Sequence, residues 1–506
     1  MQLRKKAAQL IFCFVMSNNI HVMEKEKISN SELGNLGIND LDLLVSFSRV
    51  ANGLLQHGIM DKATVLTNLE AMIEDPLPYA LNKNGKFGNL ADKILELQKQ
   101  GKFIKQHRTV QQLKEEIMTF PVFGAEHIEV GALAQMKTAI QLPISVAGAL
   151  MPDAHQGYGL PIGGVLATNA STIIPYAVGV DIACRMCLSI FDLPAGMIDM
   201  ENDKLKTLLM NHTHFGMGGT TKVHDDTTLF DRPEWNALKT VKALKDKAYA
   251  QLGTSGTGNH FVEWGALTIS GDTLEGIPAG NYLALLSHSG SRGFGATIAG
   301  TYSAIAMQKT PLPKEAKHLA WLDLNSEEGQ EYWLAMNLAG DYASANHHEI
   351  HNKIARALNI SPVMRTENHH NFAWKEKLAD GTDVMVHRKG ATPAGKGVLG
   401  VIPGSMSTPG FVVKGKGEST SINSASHGAG RLMSRSAAFK TINKAEVAQN
   451  ILDKKITLIG SGLDEAPMVY KDIHAVMAAQ TDLVEVLAKF QPRIVRMADP
   501  KERPED

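Results

Sequence analysis

Cysteine is scarce in this chain of 506 residues, which contains only Cys13, Cys184 and Cys187. Three thiols cannot build the disulfide framework that holds small secreted proteins together. A chain of this length can instead bury a large hydrophobic core. The composition therefore argues against the disulfide-rich secreted class and predicts a protein of a reducing compartment, which we take to be the cytoplasm.

An excess of either charge is also missing, because 51 Lys and Arg residues oppose 52 Asp and Glu residues. The molecule as a whole would not attract a polyanion, so any nucleic-acid site has to be a local basic patch. No stretch approaches the roughly 20 apolar residues of a membrane-spanning helix. We therefore predict no membrane association.

The N-terminus has a basic start and an apolar run over residues 7–16, a combination similar to a weak signal peptide. Gln9 interrupts the run, however, and no small-residue cleavage site follows it. A targeting role and a true start at Met16 instead of Met1 both stay open.

Residues 1–118 show helical periodicity and no chemical motif. Apolar residues recur at helix spacing in "LDLLVSFSRVANGLLQHGI", "NLADKILELQKQ" and "TVQQLKEEIM". We predict a helical N-terminal extension over residues 1–118, a catalytic domain over residues 119–498 and a polar tail over residues 499–506.

From about Phe120 glycine becomes frequent and gathers in short phrases between apolar or β-branched runs. The phrases are "MPDAHQGYGLPIGG", "VGVDIACRM", "GTSGTGNHF", "SHSGSRG", "HRKGATPAGKG", "IPGSM" and "SHGAGR". Helical stretches such as "WLAMNLAGDYASANHHEIHNKIARAL" interrupt them. This pattern predicts an α+β fold whose glycine-rich loops approach a ligand closely.

Residue types that ligate metals concentrate in these loops, beside Gly, Asn or Ser. They are Asp153, His155, Asp181, Cys184, Cys187, His260, His288, His369, His370, His387 and His427. One such residue alone is usually a hydrogen-bonded or surface side chain. Their shared context favours a site, and a set that mixes Asp, Cys and His suits Mn, Zn, Fe or Co.

The most informative phrase is "DIACRMC". On a regular strand Asp181 and Cys184 would point to opposite faces, so a bulge or a turn is needed to aim both at one metal. A thiolate there could bridge two ions, whereas the alternative is a buried Cys184 beside a solvated Asp181. Cys184 and Cys187 also form a CxxC motif, but without a second CxxC a zinc knuckle is the weaker interpretation.

Two motif matches are set aside. "GATPAGKG" has P-loop spacing, but Gly397 stands where a hydroxyl is required, and a strand-then-turn pattern follows. His347 and His351, in "HHEIH", do not form the HExxH zinc motif. We expect these two histidines to be solvated on a long polar helix.

A second chemical phrase is "SASHGAGRLMSR". The amides of its small-residue loop suit a phosphate, and Arg431 and Arg435 add positive charge. The neutral form of a histidine is available at physiological pH, so His427 could attack phosphorus and form a phosphoramidate. It could equally be one more hydrogen-bond donor to the phosphate.

Together these phrases resemble the RtcB-type RNA ligases, GTP-dependent enzymes of tRNA splicing and RNA repair. The family's motifs occur in order from about Pro152 to about Met497: "PDAHQGYGLPIGG", "GVDIACRM", "GNHFVE", "HSGSRG", "HHNFA", "HRKGAT", "IPGSM", "SHGAGR" and "EAPMVYKDI". Each motif is short, but the ordered set is specific. The resemblance implies an RtcB-like catalytic core with glycine-rich loops around a dinuclear metal site.

The resemblance also implies the site residues. Two Mn²⁺ ions would be bridged by Cys184, with Asp181 and His260 on one ion and His288 and His370 on the other. GTP would be the cosubstrate, and His427 would take GMP. The implied nucleotide-binding residues are Asn259, His260, Phe261, Val262, Glu263, His370, Asn371, Pro403, Gly404, Ser405, Met406, His427, Gly428, Ala429, Gly430 and Tyr470.

RNA is the implied partner, and the activity would join 3′-phosphate or 2′,3′-cyclic phosphate ends to 5′-hydroxyl ends through a guanylylated histidine. An activating protein partner cannot be named from the sequence. The candidates for an RNA and phosphate patch are Arg185, Arg292, Arg388, Lys389, Arg431 and Arg435. One alternative is a dinuclear metal phosphoesterase that opens cyclic phosphate ends without ligation, and another is an RNA-binding protein with a vestigial site.

This chain departs from the family pattern in three places that concern the nucleotide. Ser407 follows "IPGSM" where the family has glycine. Gly410 replaces a serine that contacts guanine, and Met497 replaces a lysine that contacts the base. Glu263 is retained. These departures put nucleotide specificity in question but leave the metal chemistry intact, as in a divergent repair paralogue.

Overall fold

The computed structural model describes residues 27–38, 41–82, 85–101 and 110–502. The signal-like run, the alternative start at Met16 and the last four residues of the tail lie outside the described residues. The chain divides into two units, Met1–Thr109 and Val110–Asp506. In the described part of the chain, no helix is long and apolar enough to cross a membrane.

The described part of the first unit is helical, as its periodicity predicts. Its helices are α1 Asn30–Asn35, α2 Leu41–Gln56, α3 Lys62–Glu74, α4 Pro76–Leu81 and α5 Gly88–Lys99. Their apolar faces meet in one core that fully buries Phe47, Leu69 and Ile94. Helices α2 and α5 confirm two of the three predicted helical segments.

The third predicted helix, over "TVQQLKEEIM", is wrong. Residues 110–118 contain no helix and belong to the second unit, so the boundary follows Thr109 and not residue 118. The N–H of Gln111 donates to the carbonyl of Pro311 at 2.9 Å, and that of Lys114 donates to Gln141 at 2.7 Å. Backbone pairing with distant segments has overridden the local helical pattern.

The second unit mixes strands and helices, which confirms the α+β prediction. Its strands are β1 Ser145–His155, β2 Ile162–Asn169, β3 Thr172–Ile173, β4 Arg185–Pro194, β5 Phe261–Leu274, β6 Ile277–Ser289, β7 Leu322–Asp323, β8 Met364–His369, β9 Asn371–Lys377, β10 Asp383–Lys389, β11 Ala391–Pro393, β12 Leu399–Ile402, β13 Gly410–Gly415, β14 Ser424–Ser426, β15 Thr457–Ile459 and β16 Val484–Met497. Its α-helices are α6 Val130–Ile140, α7 Pro175–Val178, α8 Met197–Met200, α9 Asn202–His212, α10 Glu234–Ala237, α11 Lys239–Gln251, α12 Arg292–Lys309, α13 Glu327–Leu358, α14 Arg435–Thr441, α15 Lys444–Asp453 and α16 Ile473–Ala478.

The largest sheet nearly closes into a barrel. Its strand order is β12-β13-β16-β5-β6-β4-β8, and β15 pairs with β16 in parallel. The two end strands approach each other through Asn368 of β8, whose amide oxygen accepts from the N–H of Val401 in β12 at 2.8 Å. A smaller antiparallel sheet has the order β1-β2-β10-β9. The strand β11, with the turn before β12, confirms that the P-loop match is not a P-loop.

Four chain segments that carry candidate metal ligands meet at one rim of the large sheet. Cys184 precedes β4, His260 precedes β5, His288 lies near the end of β6, and His370 follows β8. Neighbouring strands here are antiparallel, so the start of one lies beside the end of the next, as Phe261 lies opposite His288. Residues far apart in sequence therefore converge.

Candidate metal and nucleotide site

A tight turn aims Asp181 and Cys184 at the same point. Ala183 adopts a left-handed φ of 58°, and the N–H of Cys184 donates to the carbonyl of Asp181 at 3.3 Å. Gly290 leaves room for the carboxylate, because a Cβ there would lie 2.1 Å from Asp181 Oδ1. The turn required by the sequence argument is present.

Two groups of three candidate ligands share the thiol of Cys184. Asp181 and His260 complete one group, and His288 and His370 complete the other. Cys184 Sγ lies 3.1 Å from His288 Nε2 and 3.5 Å from His260 Nε2. His260 Nε2 lies 3.1 Å from Asp181 Oδ2, and the Nε2 atoms of His288 and His370 are 3.3 Å apart.

The hydrogen bonds of these histidine rings leave them in the tautomer that can bind a cation. His260 Nδ1–H donates to the carbonyl of Ser255 at 2.7 Å, and His288 Nδ1–H donates to that of Asn259 at 3.1 Å. Both rings therefore point an unprotonated Nε2 at the thiol and the carboxylate, and His370 Nδ1 is buried without a partner. A cluster with this many acceptor atoms would be stabilised by a metal ion. The hydrogen bonds to the backbone carbonyls of Ser255 and Asn259 orient the rings of His260 and His288.

Burial keeps these imidazoles in the neutral form that ligates metals. It lowers the pKa of His288 to about 3 and that of His370 well below its ordinary value. Burial alone would raise the pKa of Asp181, but its contacts with His260 and Cys184 hold it below the ordinary value. The carboxylate is therefore ionised beside neutral rings.

His427 stands beside this cluster, with its ring centroid 4.8 Å from that of His370. Its Nδ1–H donates to Asp153 Oδ2 at 2.6 Å, and the same oxygen accepts from the N–H of His427 at 3.0 Å and of Gly428 at 3.3 Å. Because Nδ1–H donates to Asp153, the neutral ring of His427 presents a lone pair at Nε2. Gly430 is needed here, since a Cβ would lie 2.0 Å from the carbonyl of Asp153.

Asp153 is a residue whose role the sequence did not predict. It is completely buried, and Lys471 lies close, donating to the carbonyls of Pro152 and Ala154 at 3.1 Å and 2.7 Å. Burial alone would raise the pKa of Asp153, but its interactions with His427 and Lys471 hold it below the ordinary value. The available signal was a carboxylate at the end of an apolar run in "ALMPDAH".

Two cavities meet at His427. The Glu263 cavity is lined by twelve of the predicted nucleotide-binding residues: Asn259, Phe261, Glu263, Pro403, Gly404, Ser405, Met406, His427, Gly428, Ala429, Gly430 and Tyr470. Gly410 and Met497, the two departures from the family's guanine contacts, line it as well. Burial raises the pKa of Glu263 well above its ordinary value.

The second cavity, which we call the Tyr158 cavity, has a volume of about 580 Å³. It contains the candidate metal ligands together with Tyr158, Tyr176, Asn371 and Lys389. Three predicted nucleotide residues, His260, His370 and Asn371, line this cavity and not the first. Val262 lines neither cavity, since its side chain is buried in a core cluster.

Three of the six candidates for RNA contact are buried in this structure. Arg185 forms an ion pair with Glu367 at 3.0 Å. Arg388 is paired with Glu376, and Arg292 donates to two neighbouring loops. The three residues are at most 4% exposed, so in this structure they stabilise the core.

The other three predicted cations do line the cavities. Arg431 and Arg435 line both, although the guanidinium groups also bond to Asp464 and Glu465. Burial lowers the pKa of Lys389 to about 7. A phosphate bound beside this amine would favour its charged form.

Other histidines of the sequence set have structural roles. His387 is buried between β2 and α7, where its Nε2 accepts from the N–H of Ile174 at 2.9 Å. His369 is half-buried and stacks on Trp374 with ring centroids 5.1 Å apart. In the phrase "ENHHNFAW", therefore, only His370 reaches the ligand cluster.

His347 and His351 are completely buried, so the prediction that they are solvated is wrong. With Cys187 they form another group of the right size for a metal. However, Ser287 Oγ lies 2.6 Å from His347 Nδ1 and 2.7 Å from His351 Nε2. The remaining ring nitrogens bond to the hydroxyl of Ser189 at 2.8 Å and to a backbone carbonyl at 3.1 Å. Hydrogen bonds occupy all four ring nitrogens, which marks a structural network.

Comparison with known proteins agrees with this geometry. The model of the family "tRNA-splicing ligase RtcB" matches residues 135–239 and 230–498. The RNA-splicing ligase RtcB of Escherichia coli K12 is 33% identical over 397 residues, which cover 71% of this chain and 92% of the relative. The tRNA-splicing ligase RtcB of Thermococcus kodakarensis is 30% identical over 432 residues, covering 71% and 89%. This chain belongs to the tRNA-splicing ligase RtcB family.

Proposed function

We propose that the protein is a GTP-dependent RNA ligase that joins 3′-phosphate or 2′,3′-cyclic phosphate ends to 5′-hydroxyl ends. The observation that carries the proposal is the position of His427. Asp153 fixes its Nδ1 proton, its ring lies against His370, and two separate cavities meet at it. A nucleophile that receives a nucleotide from one side and passes it to a second substrate needs this arrangement.

In the first step His427 Nε2 attacks the α-phosphorus of GTP. A P–N bond forms, the bond to the oxygen that bridges to the β-phosphate breaks, and pyrophosphate leaves. Asp153 accepts the Nδ1–H throughout, so it stabilises the positive charge that develops on the imidazole. The guanine occupies the Glu263 cavity.

In the second step an oxygen of the RNA 3′-phosphate attacks the phosphorus held by His427. The P–N bond breaks, and the RNA end becomes a diphosphate that carries guanosine. The 5′-hydroxyl of the other strand then attacks the RNA phosphate, loses its proton, and GMP departs. A 2′,3′-cyclic end is first hydrolysed to a 3′-phosphate.

The residues that would hold the metal are Asp181, Cys184, His260, His288 and His370. We propose that they would hold two Mn²⁺ ions, since Cys184 belongs to both groups of candidate ligands. Bound divalent cations would supply charge stabilisation for the phosphoryl oxygens during transfer. The chain's own contribution is to fix the donor atoms through backbone carbonyls, as for His260 and His288.

The second candidate function is a metal phosphoesterase that opens cyclic phosphate ends without joining them. The ligand cluster alone would be enough for it, and the losses at Gly410 and Met497 in the Glu263 cavity favour it. Asp153 and the second cavity at His427 favour the ligase.

The test uses one RNA with a radiolabelled 3′-phosphate and another with a 5′-hydroxyl, incubated with protein, GTP and MnCl₂. The ligase should give a longer product whose label resists phosphatase, because the 3′-phosphate has become the junction. The product should vanish when GTP is omitted. In a parallel reaction the first RNA carries a 2′,3′-cyclic phosphate, and opening of this end with no joined product in either reaction would overturn the proposal in favour of the phosphoesterase.

A further inference from the structure

The loop between β1 and β2 exposes one aromatic ring to solvent. The side chain of Tyr158 is exposed, and the residue as a whole is 69% exposed. Its backbone is nevertheless fixed: Lys389 Nζ donates to the carbonyl of Tyr158, and the N–H of Gly157 donates to the side chain of Gln135 at 3.0 Å. The ring is therefore presented by a rigid loop, so little ordering entropy is lost when it binds a partner.

Two further rings support Tyr158 from the side. Tyr176 lies 6.5 Å away and His318 lies 6.1 Å away, both edge to face, and these two rings are 4.8 Å from each other. Lys389 Nζ stands 5.3 Å from the centre of the Tyr176 ring. A single exposed aromatic residue needs no explanation. Three clustered rings beside an amine have the composition of a platform on which nucleobases stack.

The platform is close to the proposed chemistry. Tyr158, Tyr176 and Lys389 line the same cavity as the candidate metal ligands and His427. The residue after Lys389 is Gly390, where a Cβ would lie 3.2 Å from His427 Cε1. Lys389, the last residue of β10, thus contacts the Tyr158 loop, and Gly390, the residue after it, lies beside His427.

The guanine of the proposed nucleotide would not occupy the Tyr158 cavity, because Glu263, Gly410 and Met497 line the Glu263 cavity instead. A second substrate that reaches His427 from the Tyr158 side has to carry a terminal phosphate. With a formal net charge of −1, the chain offers no broad electrostatic attraction to such a substrate. Base stacking supplies affinity that does not depend on charge.

We propose that Tyr158 stacks on an unpaired base next to the RNA end that is being joined. The inference rests on the proposed function and adds the residue that receives the base. The stacking face would orient the strand so that its terminal phosphate or hydroxyl points into the cavity.

The test measures the affinity of short fluorescent single-stranded RNAs for the full chain by anisotropy. One RNA carries a 3′-phosphate and the other a 5′-hydroxyl, and each is compared with the same strand lacking its terminal base. Tyr158→Ala should weaken binding of at least one intact strand roughly tenfold. Tyr158→Leu should do the same, whereas Tyr158→Phe should bind like the native protein because it keeps the aromatic face.

The matched control is Tyr249→Ala. Tyr249 is 41% exposed and lines neither cavity, so its removal should leave RNA affinity unchanged. On the strand without its terminal base, the native protein and Tyr158→Ala should bind equally. Native affinity of Tyr158→Ala for both intact strands would overturn the inference, as would a loss that persists on the strand without the base.

Failure of the inference is distinguishable from failure of the proposed function. Guanylylation of His427 needs no RNA and can be followed separately. A normal guanylylated adduct with no Tyr158 effect contradicts only the platform. An intact Tyr158 effect without an adduct contradicts only the ligase proposal and leaves an RNA-binding surface.

Discussion

Asp153 organises the nucleophile through a single carboxylate oxygen. That oxygen accepts from the imidazole of His427 and from two backbone N–H groups. One contact therefore fixes both the tautomer of the ring and the course of the loop that carries it. Tight packing leaves room only for glycine at position 430, because a side chain at Gly430 would collide with the backbone of Asp153. The same carboxylate orients the ring and, in the proposed transfer, would stabilise the positive charge that develops on it.

Cys184→Ala should abolish nucleotidyl transfer, with the rate of covalent labelling by GTP falling about a hundredfold or more. The thiol belongs to both ligand groups, so its loss affects every metal position that we propose. Metal content after dialysis against MnCl₂, measured together with the labelling rate, checks the prediction.

Cys187→Ser is the matched control for this experiment. Cys187 lies within β4 and is buried, and burial raises its pKa to about 12, so it is a packing residue with a neutral thiol. Its variant should keep its metal content and most of its labelling rate. Full labelling by Cys184→Ala after chelator treatment would contradict the site assignment.

Met497→Lys should sharpen the preference for GTP over ATP. Met497 ends β16 opposite Phe261 and lines the cavity that Glu263 also lines. The native chain lacks an ammonium there and a hydroxyl at Gly410, so we expect it to discriminate weakly between the two bases. Each hydrogen bond regained is worth on the order of 1 kcal/mol, about a fivefold change in preference.

The measurement is the labelling rate with each nucleotide at matched concentration. Met497→Leu keeps an apolar side chain of similar size and should leave the preference unchanged. Strict selectivity for GTP in the native protein, unaffected by the lysine, would show that other residues read the base.

The candidate site was predictable where chemistry restricts the choice of residue. The ligands and His427 stand in short motifs, and the structure brings them together. The burial of Arg185 and Arg388 was not predictable, because the sequence does not reveal that they pair with Glu367 and Glu376. Whether an arginine is buried depends on a partner that only the tertiary structure supplies.

Helix α13 illustrates the same limit for a whole element. Its extent over Glu327–Leu358 is close to the predicted stretch, yet His347 and His351 face inward. Periodicity predicts a helix but cannot tell which polar positions are buried when strands supply hydroxyl partners. Here Ser189 of β4 and Ser287 of β6 satisfy the rings.

Ser287→Ala should destabilise the second unit by about 2 kcal/mol. The hydroxyl bonds to His347 and His351, and its removal leaves two buried ring nitrogens without that partner. Chemical denaturation followed by tryptophan fluorescence checks the prediction, since all five tryptophans lie in the second unit.

Ser270→Ala is the comparison, because Ser270 is an exposed serine in the neighbouring strand β5. It should leave stability unchanged, and the metal content of Ser287→Ala should equal that of the native protein. A loss of bound metal in Ser287→Ala would instead indicate that the Cys187 group binds an ion.

The complete molecule buries many neutral histidines, and this couples its stability to pH. Burial lowers the pKa of His387 to about 4 and that of His347 to about 3, and it lowers that of His351 well below the ordinary value. In the unfolded chain these rings take up protons near pH 6.5. The unfolded state therefore binds more protons below that pH.

Metal-free protein should keep its full stability above pH 6.5 and lose it progressively as the pH falls towards 4. The slope is about 1.4 kcal/mol per pH unit for each proton that only the unfolded chain binds. Denaturant unfolding at a series of pH values, again by tryptophan fluorescence, measures this slope. A free energy of unfolding that is constant between pH 7 and pH 5 would contradict the account.

The architecture of the second unit was only partly predictable. Apolar runs such as "NYLALLSHSG" indicated strands, and the structure has β6 there. The order β12-β13-β16-β5-β6-β4-β8 could not be predicted, because it depends on pairings between segments hundreds of residues apart. The rim that gathers Cys184, His260, His288 and His370 follows from that order, so convergence of the ligands was inferred from family motifs.

The most direct test of the proposed function is whether His427 becomes covalently bound to GMP. The full chain is incubated with GTP and MnCl₂ without RNA, and the modified peptide is identified by mass spectrometry. We predict one GMP on His427, no adduct in His427→Ala, and a normal adduct in His474→Ala, which removes an exposed histidine of α16. His427→Ala should still join an RNA whose 3′ end already carries the guanosine diphosphate linkage, because His427 acts only in making that end. An adduct that persists in His427→Ala, or no adduct in the native protein with manganese bound, would contradict the account.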